Sequence, residues 1–457
     1  MKKECFSRKE YRCFAGAFFV GLIFLSFYIK YALSAWFYFD DFYFLDAYKN
    51  NINLDDIIHP ANNMGRFVTR NLYWYSISNL FGRESSAFFF INLILIGGNC
   101  IASYFLIEAL TKNRSTACFS ALLYFVSPAT VLCFSWISSS QHLIGHTFVF
   151  LFFLYAIKSD FLNPLKVKEK LITLLLFVLG VYSNAFFLCV LPVLLCYVLI
   201  HQQKKVFFNS LNVLLFGFMI SIIFYMVINL AKIQTDLYAT EFSFKTLINT
   251  SSYYLNIFLP FFRFMPEIVL PFFLTCISVC FFVFIIKNSE YRLLLLLLAT
   301  FFFYLPVAFL IHMKNLTYIA LPFFFITTAL LYTFRNLWIM TIIIFILIIY
   351  GCVKVGLKYY EIPLGLEEKQ FFIAFNQIKT GEHKTVLFRP VPLEKKYRLN
   401  IPNFWWRLYF GTALKVFSNP SLFYDLESNQ LGLEKQQINI WKMAWCLLLK
   451  HTIYIML

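Results

Sequence analysis

The sequence predicts an all-α polytopic membrane protein, and three observations carry that reading. Apolar stretches of 18 or more residues recur along most of the chain. Charged residues make up only 14% of the 457 residues, where a soluble chain carries about a quarter. Most basic residues sit in short loops between apolar stretches, as topogenic signals do. The net charge of +16 is therefore not a nucleic-acid signature. The alternating pattern of an outer-membrane barrel is absent. The eleven Cys include no Cys-x-x-Cys pair, and none falls between Lys354 and Ile438, which excludes a disulfide-stapled or zinc-held soluble domain.

The spans follow in order. Lys2, Lys3, Arg8, Lys9 and Arg12 precede the first apolar segment and hold the N-terminus in the cytoplasm. That segment, 14–39, is too long for a signal-peptide core and reads as a retained anchor. A second span near 87–108 returns to Lys112 and Arg114; a third, 116–135, goes out; a fourth, 143–158, returns to Lys158 and Lys166. Spans five and six form a tight pair over 171–200, turning outside at Tyr182-Ser-Asn-Ala. Span seven (206–231) leads to an outer loop, 232–266, and span eight (267–286) returns to Lys287 and Arg292. Span nine exits near His312, span ten returns to Arg335, and span eleven (337–353) exits again. Every inside loop is then basic, which makes about eleven spans self-consistent.

The chain divides into a transmembrane domain, 1–353, and a C-terminal extracytoplasmic domain, 354–457. Within the first, residues 39–86 form a long outer loop in which Phe67, Leu72, Tyr75 and Leu80 recur at near-helical spacing, as in helices lying in the membrane interface. The second domain is polar and basic yet rich in aromatic residues, which fits a small folded unit. Its last stretch, 438–457, is apolar but broken by Lys442, Lys450 and His451, and either docks on the membrane or crosses it.

The residues most suggestive of chemistry are Asp40 and Asp41, where the first apolar segment leaves the membrane. A carboxylate at the bilayer centre costs about 2.5–3.5 kcal/mol on insertion scales and less at the rim, so an acid pair there is a functional candidate. Neighbouring helical residues point about 100° apart, so one acid serves a cavity while the other holds an arginine or a metal. Sugar transfer from a lipid phosphate needs one base for the acceptor hydroxyl, and a phosphate leaves once cations stabilise it. The competing reading of the pair is a solvated helix cap.

The residues Phe39-Asp-Asp-Phe-Tyr-Phe-Leu-Asp, the downstream Gly65-Arg66-Phe67 and the tight pair around Leu179-Gly-Val-Tyr-Ser-Asn-Ala resemble the GT-C superfamily of integral-membrane glycosyltransferases. Size and layout look most like the serotype-converting O-antigen glucosyltransferases of enteric bacteria and their phages. Ser183-Asn184 stands where many relatives carry a Lys-Glu or similar polar pair. The resemblance implies an inverting hexosyltransferase of the bacterial inner membrane with its active site facing the periplasm. Its donor is a polyprenyl-phosphate sugar and its acceptor a polysaccharide or lipid-linked glycan such as O-antigen. Asp40 or Asp41 would be the base, with Asp41 a candidate ligand for a divalent Mg or Mn ion. Arg66 and Arg70 would hold the donor phosphate, since guanidinium suits bidentate phosphate contacts; headgroup binding is their competing role.

Lys314 and Arg263 join them as candidate phosphate ligands, and a lysine in a short outer loop runs against the positive-inside trend. Asp46, His142, His146 and His312 are candidates for lining the cavity or holding the acceptor. His142 and His146, at i and i+4, would share one helix face and bind metal or acceptor. Two other functions compete. An O-antigen polymerase would rely on arginine-rich outer loops. A lipid-linked sugar flippase or transporter would carry charges or helix breaks near mid-membrane.

Overall fold

The first helix, α1 (Arg8–Ser34), turns Phe18, Phe19 and Leu33 outward. It ends before the apolar stretch does. Its last backbone bond runs from Ala35 N–H to Tyr31 O, and Asp40 opens a separate helix, α2 (Asp40–Ala47). The acid pair therefore sits in the first turn of its own helix, where the exposed N–H groups favour negative charge. A π-helical turn, Phe67–Leu72, runs into α3 (Tyr73–Phe81), and α4 (Ser85–Thr111) follows. Next come α5 (Arg114–Val126), α6 (Pro128–Ser135), α7 (Ser140–Lys158), α8 (Val167–Val181) and α9 (Val190–Ile200). The last three helices are α10 (Phe244–Phe258), α11 (Tyr291–Ala308) and α12 (Ala320–Thr333). These come from a computed structural model that describes residues 8–37, 40–47, 66–159, 166–200, 240–258, 290–310 and 316–335, six single positions beyond 216, and the dipeptides 387–388 and 455–456, which pair antiparallel.

Among the described residues, four helical segments are long and apolar enough to cross a membrane: Ser85–Thr111, Ile137–Lys158, Tyr291–Ala308 and Leu316–Thr333. The third expected span is α5 and α6 bent by 46°, which makes a fifth. Ser127 causes the break. Its backbone is extended (φ −65°, ψ 139°), its Oγ accepts Thr130 N–H at 3.1 Å, and Pro128 takes the first position of the new helix. The tight pair expected over 171–200 is α8 and α9, joined by a turn and a 3-10 segment, Ala185–Cys189. Spans seven, eight and eleven and most of 354–457 lie outside the described residues.

The stretch expected to lie in the interface is helical: Leu72 and Leu80 turn outward, while Thr69, Asn71, Tyr73, Trp74 and Ile77 face inward. Thr69 donates to Ser183 O and Tyr73 to Asn92 Oδ1, which makes their burial tolerable. Helix α10 occupies part of the expected outer loop. Ser243 caps it by accepting Thr246 N–H at 3.1 Å, and Ser251 bonds Tyr304 of α11 at 2.8 Å.

Lipid tails are as apolar as leucine, so packing and buried hydrogen bonds must hold such a bundle together. The packing is largely aromatic. Phe44 of α2 stacks on Trp74 of α3 at 5.1 Å and 23°, and Tyr28 of α1 meets Phe134 of α6 edge-on at 4.6 Å. Tyr28 also donates to Phe125 O at 2.7 Å, satisfying a carbonyl at the end of α5.

One end of the bundle gathers basic side chains. Arg114 pairs with Glu108 at 3.0 Å, Arg335 with Glu290 at 2.8 Å, and Arg292 reaches Thr111 O at 3.4 Å. Asn92, near the start of α4, lies about 28 Å along the helix from Thr111 at 1.5 Å per residue. That second end carries the polar cluster described next.

Candidate functional site

Asp41 is fully buried, and its Oδ1 accepts two hydrogen bonds from one residue, Ser138: the backbone N–H at 2.7 Å and the hydroxyl at 2.5 Å. Ser138 lies in the 3-10 turn Ile137–Ser139 that leads into α7. The carboxylate thus sits at a helix start, where charge and unpaired N–H groups are complementary. The contact locks α2 onto the entrance of α7.

Three further segments reach the same entrance. Arg66 Nη1 donates to Gln141 Oε1, one residue past the start of α7. Arg70, one helical turn on, stands over the Phe44 ring at 4.9 Å. The π-helical turn between them is clipped to the α8–α9 turn: Val68 N–H donates to Tyr182 O at 3.1 Å and Thr69 Oγ1 to Ser183 O at 2.8 Å. Asp41, Arg66, Arg70 and the Tyr182–Asn184 turn, far apart in the chain, therefore share one end of the bundle.

Tyr73 closes this cluster from α3. Its hydroxyl donates to Asn92 Oδ1 at 2.7 Å. Burial pushes its phenol well above the ordinary range; a Ser140 hydroxyl beside it opposes that shift and the Asp41 charge adds to it. The phenol stays protonated and holds Asn92, whose amide also donates to Phe134 O at 3.5 Å.

His142 and His146 share one face of α7, as their spacing predicts, with ring centres 6.5 Å apart. Asn184 Nδ2 lies 3.1 Å from His142 Nδ1, and the Tyr124 hydroxyl 2.8 Å from His146 Nδ1. Both rings line a cleft that includes Asn184, Phe186, Thr317 and Tyr318 in its walls. Its empty space is about 310 Å³ counting the open mouth. Deeper in the bundle, Asn99 donates to Tyr124 Oη at 3.1 Å and to Leu143 O at 2.8 Å, and accepts from Thr147 Oγ1 at 2.7 Å.

Arg263, His312 and Lys314 lie outside the described residues, as do the side chains of Asp40 and Asp46. Ser138, Gln141, Tyr73, Asn92, Asn99 and Tyr124 join the site without having been singled out by the sequence. Gln141 directly precedes His142, so that proximity was a usable signal. Asp41 accepts from a hydroxyl and a backbone amide, a set that suits a hydrogen-bonded carboxylate, and no group of three His, Cys, Asp or Glu occurs among the described residues. Neither models of known protein families nor curated protein sequences give a match to this chain.

Proposed function

We propose that the chain is a membrane hexosyltransferase of GT-C type, working on the extracytoplasmic face of a bacterial inner membrane. In this reading about eleven spans place the basic loops inside and the Asp41 cluster outside. The donor is a polyprenyl-phosphate sugar, and the acceptor is a polysaccharide or lipid-linked glycan such as O-antigen. The observation that carries the reading is the convergence of Asp41, Arg66, Arg70 and the Tyr182–Asn184 turn at one end of the bundle.

The chemistry asks for one base and a cationic cradle. The acceptor hydroxyl attacks the anomeric carbon, its proton passes to a carboxylate, and the phosphate leaves with the bonding electrons on the opposite face, inverting the centre. Asp41 already accepts two hydrogen bonds through Oδ1, which suits an anchoring acid, so Asp40 is assigned the proton. Arg66 and Arg70 hold the phosphate, with Lys314 and Arg263 as further candidates. No step is routed through a metal.

The test is transfer from a labelled polyprenyl-phosphate sugar in membranes, comparing wild type with Asp40→Asn and Asp41→Asn. Loss of transfer in Asp40→Asn at normal expression is expected. Full transfer in both variants refutes the assignment.

A lipid-linked sugar flippase is the second reading, favoured by the bend at Ser127-Pro128 and the buried Asn99–Tyr124–His146 network inside the bundle. Movement of a fluorescent lipid-linked sugar across proteoliposomes, without transfer, would establish it instead.

A further inference from the structure

We infer that His142 and His146 are neutral imidazoles that both present an Nε2–H donor to the cleft between α7 and the Leu316–Ile319 turn, and that the cleft holds the hydroxyl edge of an uncharged sugar ring. The argument starts from Asn184. Its Oδ1 accepts Phe186 N–H at 3.0 Å, so its Nδ2 is the atom facing His142 Nδ1 at 3.1 Å. An amide N–H there makes Nδ1 an acceptor and leaves the ring proton on Nε2.

His146 is assigned the same way. Asn99 Nδ2 donates to Tyr124 Oη, and the orientation of that amide is fixed because its Oδ1 accepts from Thr147. With the Tyr124 oxygen already accepting from Asn99, its proton is assigned to His146 Nδ1, 2.8 Å away. Both rings are 4% exposed and both border the cleft, and the hydrogen bonds described for them run through Nδ1, which leaves each Nε2–H for an acceptor oxygen of a ligand.

The same protonation argues against metal. A metal-ligating imidazole normally donates its second N–H to a carboxylate or carbonyl, whereas here both second nitrogens face donors. The other walls decide the ligand class. The described lining offers imidazole, amide, hydroxyl and aromatic groups, which suit an uncharged hydroxyl-rich ligand. Phe186 and Tyr318, with ring centres 5.4 Å apart, offer aromatic faces at the cleft, where the C–H face of a sugar packs. Asn184 and Tyr124 are positioning residues that set the two protons.

The inference deepens the transferase reading, and rests on it only in naming a sugar as the hydroxyl-rich ligand. It is tested on the full chain in lipid nanodiscs by 15N histidine NMR, with methyl β-D-glucopyranoside as probe. Both imidazoles should show the Nε2–H pattern at neutral pH, and the glucoside should move both Nε2 signals while inorganic phosphate moves neither. Asn184→Asp replaces the donor by an acceptor and should shift the His142 proton to Nδ1, leaving His146 unchanged and weakening the glucoside response about tenfold, the worth of one hydrogen bond. An Nδ1–H pattern on either wild-type ring, a response to Co²⁺ or phosphate in place of the glucoside, or no response to the glucoside overturns the inference. The readout needs no turnover. A chain that binds the glucoside but never transfers sugar overturns the transferase reading alone, and one that transfers with silent histidines overturns this one alone.

Discussion

Asp41 and Ser138 are 97 positions apart, yet a single carboxylate oxygen accepts both the backbone N–H and the hydroxyl of that serine. The bond joins α2, the short helix that follows α1, to the entrance of α7. Hydrogen bonds to a charged group are worth about 1.5–3 kcal/mol each, and removing one partner strands the other. Asp41→Ala should therefore cost the most stability, Asp41→Asn less because an acceptor oxygen remains, and Ser138→Ala about 1.5 kcal/mol, the low end for one such bond, because the backbone N–H still binds. Thermal unfolding in nanodiscs ranks the three. An equal loss from all three would mean that the contact does not hold α2 in place.

Arg66 tests the cationic cradle separately from the fold. Its described bond is to Gln141, a neutral side chain, so the guanidinium charge is not neutralised by that contact. Arg66→Lys keeps the charge but loses the fork that grips phosphate bidentately, and should raise KM for the lipid-phosphate donor about tenfold with little change in Tm. Gln141→Ala should leave KM within about threefold, since it removes a positioning contact only. Steady-state transfer against donor concentration separates the two.

Gly145 makes a controlled comparison with other helical glycines. A methyl group at Gly145 would meet Asn184 Cβ at 2.9 Å, whereas at Gly97 and Gly98 it would meet nothing within 4 Å. Alanine in an open helical site gains up to about 1 kcal/mol, and overpacking a filled one costs about 1–3 kcal/mol. Gly97→Ala and Gly98→Ala should thus raise Tm, and Gly145→Ala should lower it and part Asn184 from His142. Tm values for the three variants decide the matter, and a stabilised Gly145→Ala contradicts the close contact.

How much of this was legible in the sequence depends on the range of the contact. The apolar runs that became α4 and α11 announce themselves locally, and the loop charges order them. The break at Ser127-Pro128 was also local, a Ser-Pro start with Thr130 as capping partner, but it lay hidden inside an apolar run read as one span. Helix α10 was missed because its Thr, Ser and Asn residues read as loop, although Leu247, Thr250 and Tyr254 recur at helical spacing. In the site, Asp41, Arg66, Arg70, His142 and His146 were visible as unusual residues for an outer rim. Ser138, Asn92 and Tyr124 were not, because Asp41, Tyr73 and His146 select them across gaps of 97, 19 and 22 residues. The burial of Thr69 was hidden for the same reason: its acceptor, Ser183 O, lies 114 residues away.

Tyr73 predicts how the cluster fails at high pH. Its folded-state pKa is raised above 10.0, first by burial and further by the Asp41 charge, with the Ser140 hydroxyl opposing. In the unfolded chain the phenol titrates near its ordinary value of about 10. Below that pH the phenol is protonated in both states, so it adds no pH dependence. Above it the unfolded state sheds a proton that the folded state keeps, and stability falls as pH rises, by up to about 1.4 kcal/mol per pH unit from this group. Tyr73→Phe should start less stable, because Asn92 loses its 2.7 Å donor, but should lose less stability between neutral pH and the alkaline range. Asp41→Asn should leave the alkaline slope unchanged, since burial alone keeps the folded phenol protonated across that range. Thermal unfolding of the three proteins across that range gives the slopes, and parallel slopes for wild type and Tyr73→Phe would show that this phenol is not held protonated.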